Sequence, residues 1–193
     1  MMQTLSQQYT LAEYRDLEES AIERHEYHDG IVVVMTGGTL EHCAISGNIY
    51  ALLKNSLKKT RFKPFNSDLR IWVPRYRRGI YPDVMVLEGE PQFHDDRRDE
   101  VINPTLIVEV LSRSTEAYDR GNKFMYYRSI PTFSEYLLVN QYRPWVDHYI
   151  KADSRDWLMR SYEGLEASIF LKTIDLQLSS ADIYDEIVFT DDV

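Results

Sequence analysis

Residues 104–111 read PTLIVEVL, and this stretch limits the folds open to the chain more than any other. Leu106, Ile107, Val108, Val110 and Leu111 form the kind of apolar run found in a strand covered on both faces. Such a strand belongs inside a sheet. Glu109 sits within the run, and a carboxylate taken out of water without a partner costs several kcal/mol. The fold must therefore supply Glu109 with a partner.

A second acid raises the same demand. In YPDVMVLEG, Pro82 sets the backbone as a strand begins, and Asp83 occupies the first strand position. If this strand pairs antiparallel with the one carrying Glu109, its start lies beside the other's end and the two carboxyl groups converge. Period-two alternation places Asp83 with Met85 and Leu87, and Glu109 with Ile107 and Leu111. Like charges held that close repel unless a proton or a cation lies between them. A divalent metal resolves the conflict, and oxygen-only ligands suit Mg²⁺ or Mn²⁺. Such an ion activates water and offsets charge on a phosphate under attack. Lys123, one turn after Asp119, is placed to reach back over the strand end and hold the attacking water. Simpler roles stand beside these. Asp83 is also suited to capping backbone groups after Pro82. Glu109 is suited to an ion pair with an arginine such as Arg70, and Lys123 to a surface i,i+4 pair with Asp119 worth ~0.2–0.5 kcal/mol.

The rest of the chain predicts an α+β (mixed α/β) fold, a central mixed sheet flanked by helices. TLAEYRDLEES reads as an N-terminal amphipathic helix over about 9–20, capped by Thr10. A strand around 26–36 carries a turn at Asp29-Gly30. A helix over 40–59 follows, capped by Thr39, with Ile45, Ile49, Leu52, Leu53 and Leu57 at helical spacing. FKPFN, DLRIWVP and DVMVLEG read as strands, EPQFHDDRRDEVINP as a polar loop, and 116–129 as a polar helix ended by Pro131. SEYLLVN, WVDHYIK, DWLMRSYE and ASIFLKT are strands before a short helix near SSADIYDEI. No repeat or linker interrupts this order, which predicts a single domain over 1–193.

Charge argues against a general nucleic-acid binder: 22 Lys plus Arg face 31 Asp plus Glu, a net charge of −9. The basic residues are unevenly spread, with Arg70, Arg75, Arg77 and Arg78 together in DLRIWVPRYRRG, either as a solvated hairpin or as a patch that steers a polyanion. The single cysteine, Cys43, excludes an internal disulfide and a cysteine-rich zinc site. The chain shows neither a signal-peptide pattern nor an apolar run of the ~20 residues a membrane span needs, so a cytoplasmic protein is expected. His25, His28, His94 and His148 lack zinc-like spacing and read as surface residues. The many tyrosines, among them Tyr126, Tyr127, Tyr142 and Tyr149, read as packing residues more than as base-stacking ones.

The ordered blocks PD in YPDVMVL, IVEVLSRST, YDRGNKF with its following YY, and EYLLVN together resemble the Uma-two family of endonuclease-like proteins, over nearly the whole chain. That family is placed in the PD-(D/E)XK nuclease superfamily. The resemblance implies a restriction-endonuclease-like core, Mg²⁺ (or Mn²⁺) as cofactor and DNA as substrate. It implies that Asp83 and Glu109 are catalytic and ligate the metal. The superfamily pattern has its lysine two residues beyond the second acid, where this chain has Leu111. Members of the Uma-two family carry the lysine of the D-R-G-x-K block instead, here Lys123. The resemblance implies supporting roles, at the site or in the helix, for Asp119 and Tyr127 of that block. Since an acid of the first core helix often joins the metal site, Glu41, His42 and Glu26 are candidates, with Asp68 a further one. The alternative is a nuclease-like fold without chemistry, a nucleic-acid-binding or dimerisation module. For a double-strand cutter a symmetric homodimer is the default.

Overall fold

The computed structural model describes residues 7–189. The first helix, α1 (Leu11–Ser20), begins where Thr10 accepts the Glu13 N–H and Glu13 bonds back to the Thr10 N–H, a reciprocal capping box. The hairpin of β1 (His25–His28) and β2 (Ile31–Val34) turns at Asp29 and Gly30, with φ of 48° and 99°. Both central residues of a tight hairpin need this left-handed geometry, which favours glycine and tolerates aspartate. Next comes α2 (Leu40–Ser56), capped by Thr39, whose hydroxyl accepts the His42 N–H.

The strands β3 (Phe62–Asn66), β4 (Arg70–Val73), β5 (Arg78–Ile80), β6 (Val84–Glu88), β7 (Phe93–His94), β8 (Arg97–Val101) and β9 (Pro104–Leu111) follow. A helical segment crosses over next. It comprises α3 (Glu116–Tyr118), a π-helical turn at Asp119–Lys123, and α4 (Phe124–Tyr127). Then come β10 (Glu135–Asn140), β11 (Trp145–Lys151), β12 (Trp157–Glu163), β13 (Ser168–Leu171), β14 (Leu176–Ser179) and α5 (Ser180–Ile183). The principal sheet has the order β12-β11-β10-β9-β6-β3, and only its β9/β10 pair is parallel. A second sheet, β2-β1-β5-β4-β8-β7, carries the hairpins, and β13 and β14 pair apart from both.

Every residue of β9 is buried, as its composition predicts. Its two faces go to different neighbours. Leu106, Val108 and Val110 join Ile45, Ile49 and Leu53 of α2 in one apolar cluster. Ile107 and Leu111 join Met85, Leu87, Tyr126, Tyr127, and Ile71 and Ile80 of the second sheet in another. That second cluster fastens the two sheets together, and Glu109 points into it. The segment 90–104, read from sequence as a polar loop, instead contains the β7–β8 hairpin. Its charged residues hid it. Glu100 is fully buried because Arg70 and Arg15 reach it at 2.6 and 2.8 Å, contacts made by residues distant in the chain. The short strands β5 and β14 were also invisible to alternation.

Candidate active site

The antiparallel pairing of β6 with β9 sets Val84 opposite Val108, so Asp83, one residue before β6, lies at the level of Glu109. The Asp83 carboxylate accepts the Val110 N–H at 2.7 Å, which ties it to the strand that bears Glu109. His42, in the first turn of α2, brings its Nε2 to 3.3 Å from Asp83 Oδ2. Asp83 and His42 remain partly open to solvent, with 18% and 20% of their side chains exposed. They form the mouth of the site.

Behind them the site is closed. Glu109 is 3% exposed, and its Oε1 accepts from the Tyr127 hydroxyl at 2.8 Å and from Lys123 Nζ at 3.0 Å. Lys123 Nζ also lies 3.2 Å from Asp119 Oδ1. The π-helical turn buries both residues of the Asp119–Lys123 pair. Wide π turns of this kind recur at functional sites. Tyr136 donates to the Asp119 carbonyl at 3.1 Å, pinning that turn to β10. Burial foremost, and then the nearby charges of Asp119 and Asp83, push Glu109 well above the ordinary carboxylate range, against the pull of Lys123. Burial acts to discharge Lys123, but the carboxylates of Glu109, Asp119 and Glu26 outweigh it and hold the ammonium firmly protonated. Burial likewise works against charge on His42, and its bond to Asp83 leaves its pKa raised.

The structure thus brings together Asp83, Glu109, Lys123, Asp119, Tyr127 and His42. Glu26 stands at the edge of this group. It is buried on β1, its carboxylate 2.8 Å from His28 Nε2, and His28 in turn lies 3.3 Å from the Tyr118 hydroxyl. Sequence reasoning missed Tyr118, whose ring lies 5.8 Å from Lys123 Nζ; only its place in the YDRGNK block could have signalled it. Glu41 sits half-buried in the first turn of α2.

Other expectations are corrected. Asp68 is exposed and paired with Arg24, away from this group. The arginines expected to form one patch are dispersed. Arg70 is 1% exposed and spent on Glu100, Asp99, Tyr14 and Tyr81, so it is not available to a phosphate. It does not pair with Glu109 either, whose cation is Lys123. Arg77 pairs with Asp29 at 2.6 Å, and Arg78 lies over the Tyr126 ring. Arg75 alone of the four is exposed without an ion pair among the described residues. His148, expected at the surface, is fully buried with Nε2 2.7 Å from Glu135. Tyr126 and Tyr127 pack in the core as expected, whereas Tyr142, expected to pack, is exposed.

A divalent cation fits this donor set in a limited way. Among the described residues no three His, Cys, Asp or Glu side chains form a metal cage. Mg²⁺ and Mn²⁺ do not need one, since they bind through one or two carboxylates and keep their remaining positions for water and phosphate oxygens. Two hard carboxylates on neighbouring strands, one at an open mouth, meet that requirement.

Comparison with known proteins agrees with the fold. The family model Uma2, described as "Putative restriction endonuclease", matches residues 11–181. Two curated proteins of Synechocystis sp. are similar: the uncharacterized protein sll1609 is 39% identical over 160 residues, covering 83% of this chain and 90% of its own length. The uncharacterized protein slr1290 is 38% identical over 179 residues, covering 92% of each. A crystal structure from Anabaena variabilis, described as a putative nuclease belonging to DUF820, superposes with a TM-score of 0.75 at 17% identity. It spans 93% of this chain and 99% of its own. The fold is restriction-endonuclease-like. No helix among the described residues is long and apolar enough to cross a membrane.

Proposed function

The chain belongs to the Uma2 family of restriction-endonuclease-like proteins, and on that basis we propose that it hydrolyses DNA phosphodiester bonds with Mg²⁺ or Mn²⁺. The observation that carries the reading is the meeting of Asp83, Glu109, Lys123 and His42 from four separate segments at one partly open position. Asp83 and Glu109 would hold the cation through carboxylate oxygens. The bound cation supplies a Lewis acid for the phosphate and makes its water a stronger acid.

The chain's own residues do the rest. The Val110 N–H holds the Asp83 carboxylate in place, and the Tyr127 hydroxyl holds that of Glu109. Lys123, kept protonated by its acidic neighbours, sets a fixed positive charge beside the reacting phosphate and orients the attacking water. His42 at the mouth donates a hydrogen bond or a proton to a phosphate oxygen. Lys123 thereby takes the place of the lysine absent at Leu111. Two copies arranged as a symmetric homodimer would set one site on each strand of a duplex. The free, exposed Cys43 suits a reducing cytoplasm.

The test is incubation of purified protein with supercoiled plasmid and Mg²⁺ or Mn²⁺. Nicked or linear product is expected, abolished by chelation and reduced at least about a hundredfold in Asp83→Ala and Glu109→Gln. Cleavage that survives both substitutions would rule out this site. The second reading, a nuclease-like fold without chemistry, draws on Leu111 and on the ammonium already neutralising Glu109. It gains if millimolar Mn²⁺ leaves the melting temperature unmoved, because a ligand of the folded state must raise it.

A further inference from the structure

At the far end of the helical segment from α3, a separate cleft of about 190 Å³ opens between the loop before β5 and the β11–β12 hairpin. Its walls include Arg75, Tyr76, Arg128, Lys151, Arg155 and Trp157. The four cations come from four places in the chain: the turn after β4, the end of α4, the end of β11, and the loop before β12. None of the four forms an ion pair among the described residues, whereas Arg15, Arg24, Arg70, Arg77, Arg97 and Arg120 all do. In a chain of net charge −9, four uncommitted cations held around one cleft are a cost to the folded state unless an anion relieves their repulsion. The acids nearest in sequence are Asp153 and Asp156 of the same loop. The Asp153 carboxylate is turned onto the N–H groups of Arg155 and Asp156, at 2.7 and 3.0 Å.

The walls indicate what kind of anion fits. The Trp157 ring is already engaged by Phe124 and Phe133, with centroids 5.2 Å away in each case. Arg128 lies over Phe124 at 4.8 Å, and Arg75 over Tyr76 at 5.7 Å. The rings therefore serve as rigid supports for guanidinium groups rather than as free stacking faces. Such an arrangement grips phosphates and is indifferent to base identity.

We propose that this cleft is an anchoring subsite for the phosphate backbone of a DNA strand, apart from the buried acidic cluster. It rests on the nuclease reading only for the choice of DNA as the polyanion.

The test measures binding alone. A fluorescently labelled DNA oligonucleotide is titrated with the full chain in chelator, so that no metal is present, and anisotropy is followed from 50 to 300 mM salt. Arg128→Ala/Arg155→Ala is expected to weaken binding at least tenfold at 100 mM salt. It is expected to lower the slope of log K against log salt by about 1.5–2, as for two lost phosphate contacts. Arg128→Lys/Arg155→Lys should keep most of the slope. No variant should melt below the wild type, since both arginines are exposed and the alanine changes relieve repulsion around the cleft. Affinity and slope unchanged in the alanine variant would overturn the inference, as would a wild type that binds no oligonucleotide. An oligonucleotide held through these arginines by a protein that cleaves nothing with Mg²⁺ would leave the subsite standing and remove the hydrolytic reading.

Discussion

Glu109, Lys123 and Asp119 form a buried triad of two acids and one base, and their energetics follow from their low exposure. Removing the ammonium leaves two carboxylates facing each other away from water. Lys123→Met should therefore destabilise the protein by about 3–5 kcal/mol, measured by urea unfolding. The double change Glu109→Gln/Lys123→Met should recover part of that loss, because only Asp119 then stays charged. A loss under about 1 kcal/mol in the single variant would mean that the pair does not form in solution. The raised pKa of Glu109 has the same origin: burial and two neighbouring acids oppose a full charge there.

At the scale of elements, the geometry depends on how α2 begins and how the segment 116–127 turns. Thr39 caps α2 through the His42 N–H and also donates to Gln141 Oε1 at 2.6 Å. Gln141 in turn donates to the Leu111 carbonyl at 2.8 Å. One hydroxyl thus links the helix that carries His42 to the end of the strand that carries Glu109. Thr39→Ala should cost about 1 kcal/mol and lower the melting temperature by roughly 2–4 °C. Thr39→Ser should retain most of it. An unchanged melting temperature for the alanine variant would show that the cap contributes nothing.

At the scale of the whole molecule, the second sheet is joined by a buried charge network. Arg70 and Arg15 meet Glu100, while His94 approaches the same carboxylate at 3.1 Å and stacks on Trp72. Burial acts to raise the Glu100 pKa, but the Arg15 bond, the Arg70 charge and the His94 bond outweigh it and leave it lowered. A depressed folded pKa means stability that is present above the unfolded value, about 4.3, and lost as pH falls through the folded one. Melting temperature should therefore fall steeply below about pH 4. Glu100→Gln should lower it at pH 7 and flatten the acid limb of the profile. A variant that keeps the full acid limb would show that other carboxylates govern it.

Much of this architecture is written locally in the chain. The β9 run announced a doubly covered strand, alternation assigned its two faces, and Thr10 and Thr39 marked the helix starts. These signals act between residues a few positions apart, so no fold is needed to see them. The charged hairpin at 93–101, the burial of Arg70 and the dispersal of its neighbouring arginines were not legible. The fate of a charge is decided by groups tens of residues away. By itself the sequence determined that a doubly covered strand carries a carboxylate in need of a partner, because periodicity and the cost of burying charge demand it; the antiparallel pairing that sets Asp83 beside Glu109 was a condition only the fold could meet. Only the tertiary structure decided that Lys123 and Tyr127 meet Glu109, and that four cations without an ion pair among the described residues gather at the other end of the helical segment. Pairing of charges across a fold depends on which surfaces the packed layers bring within a few ångströms.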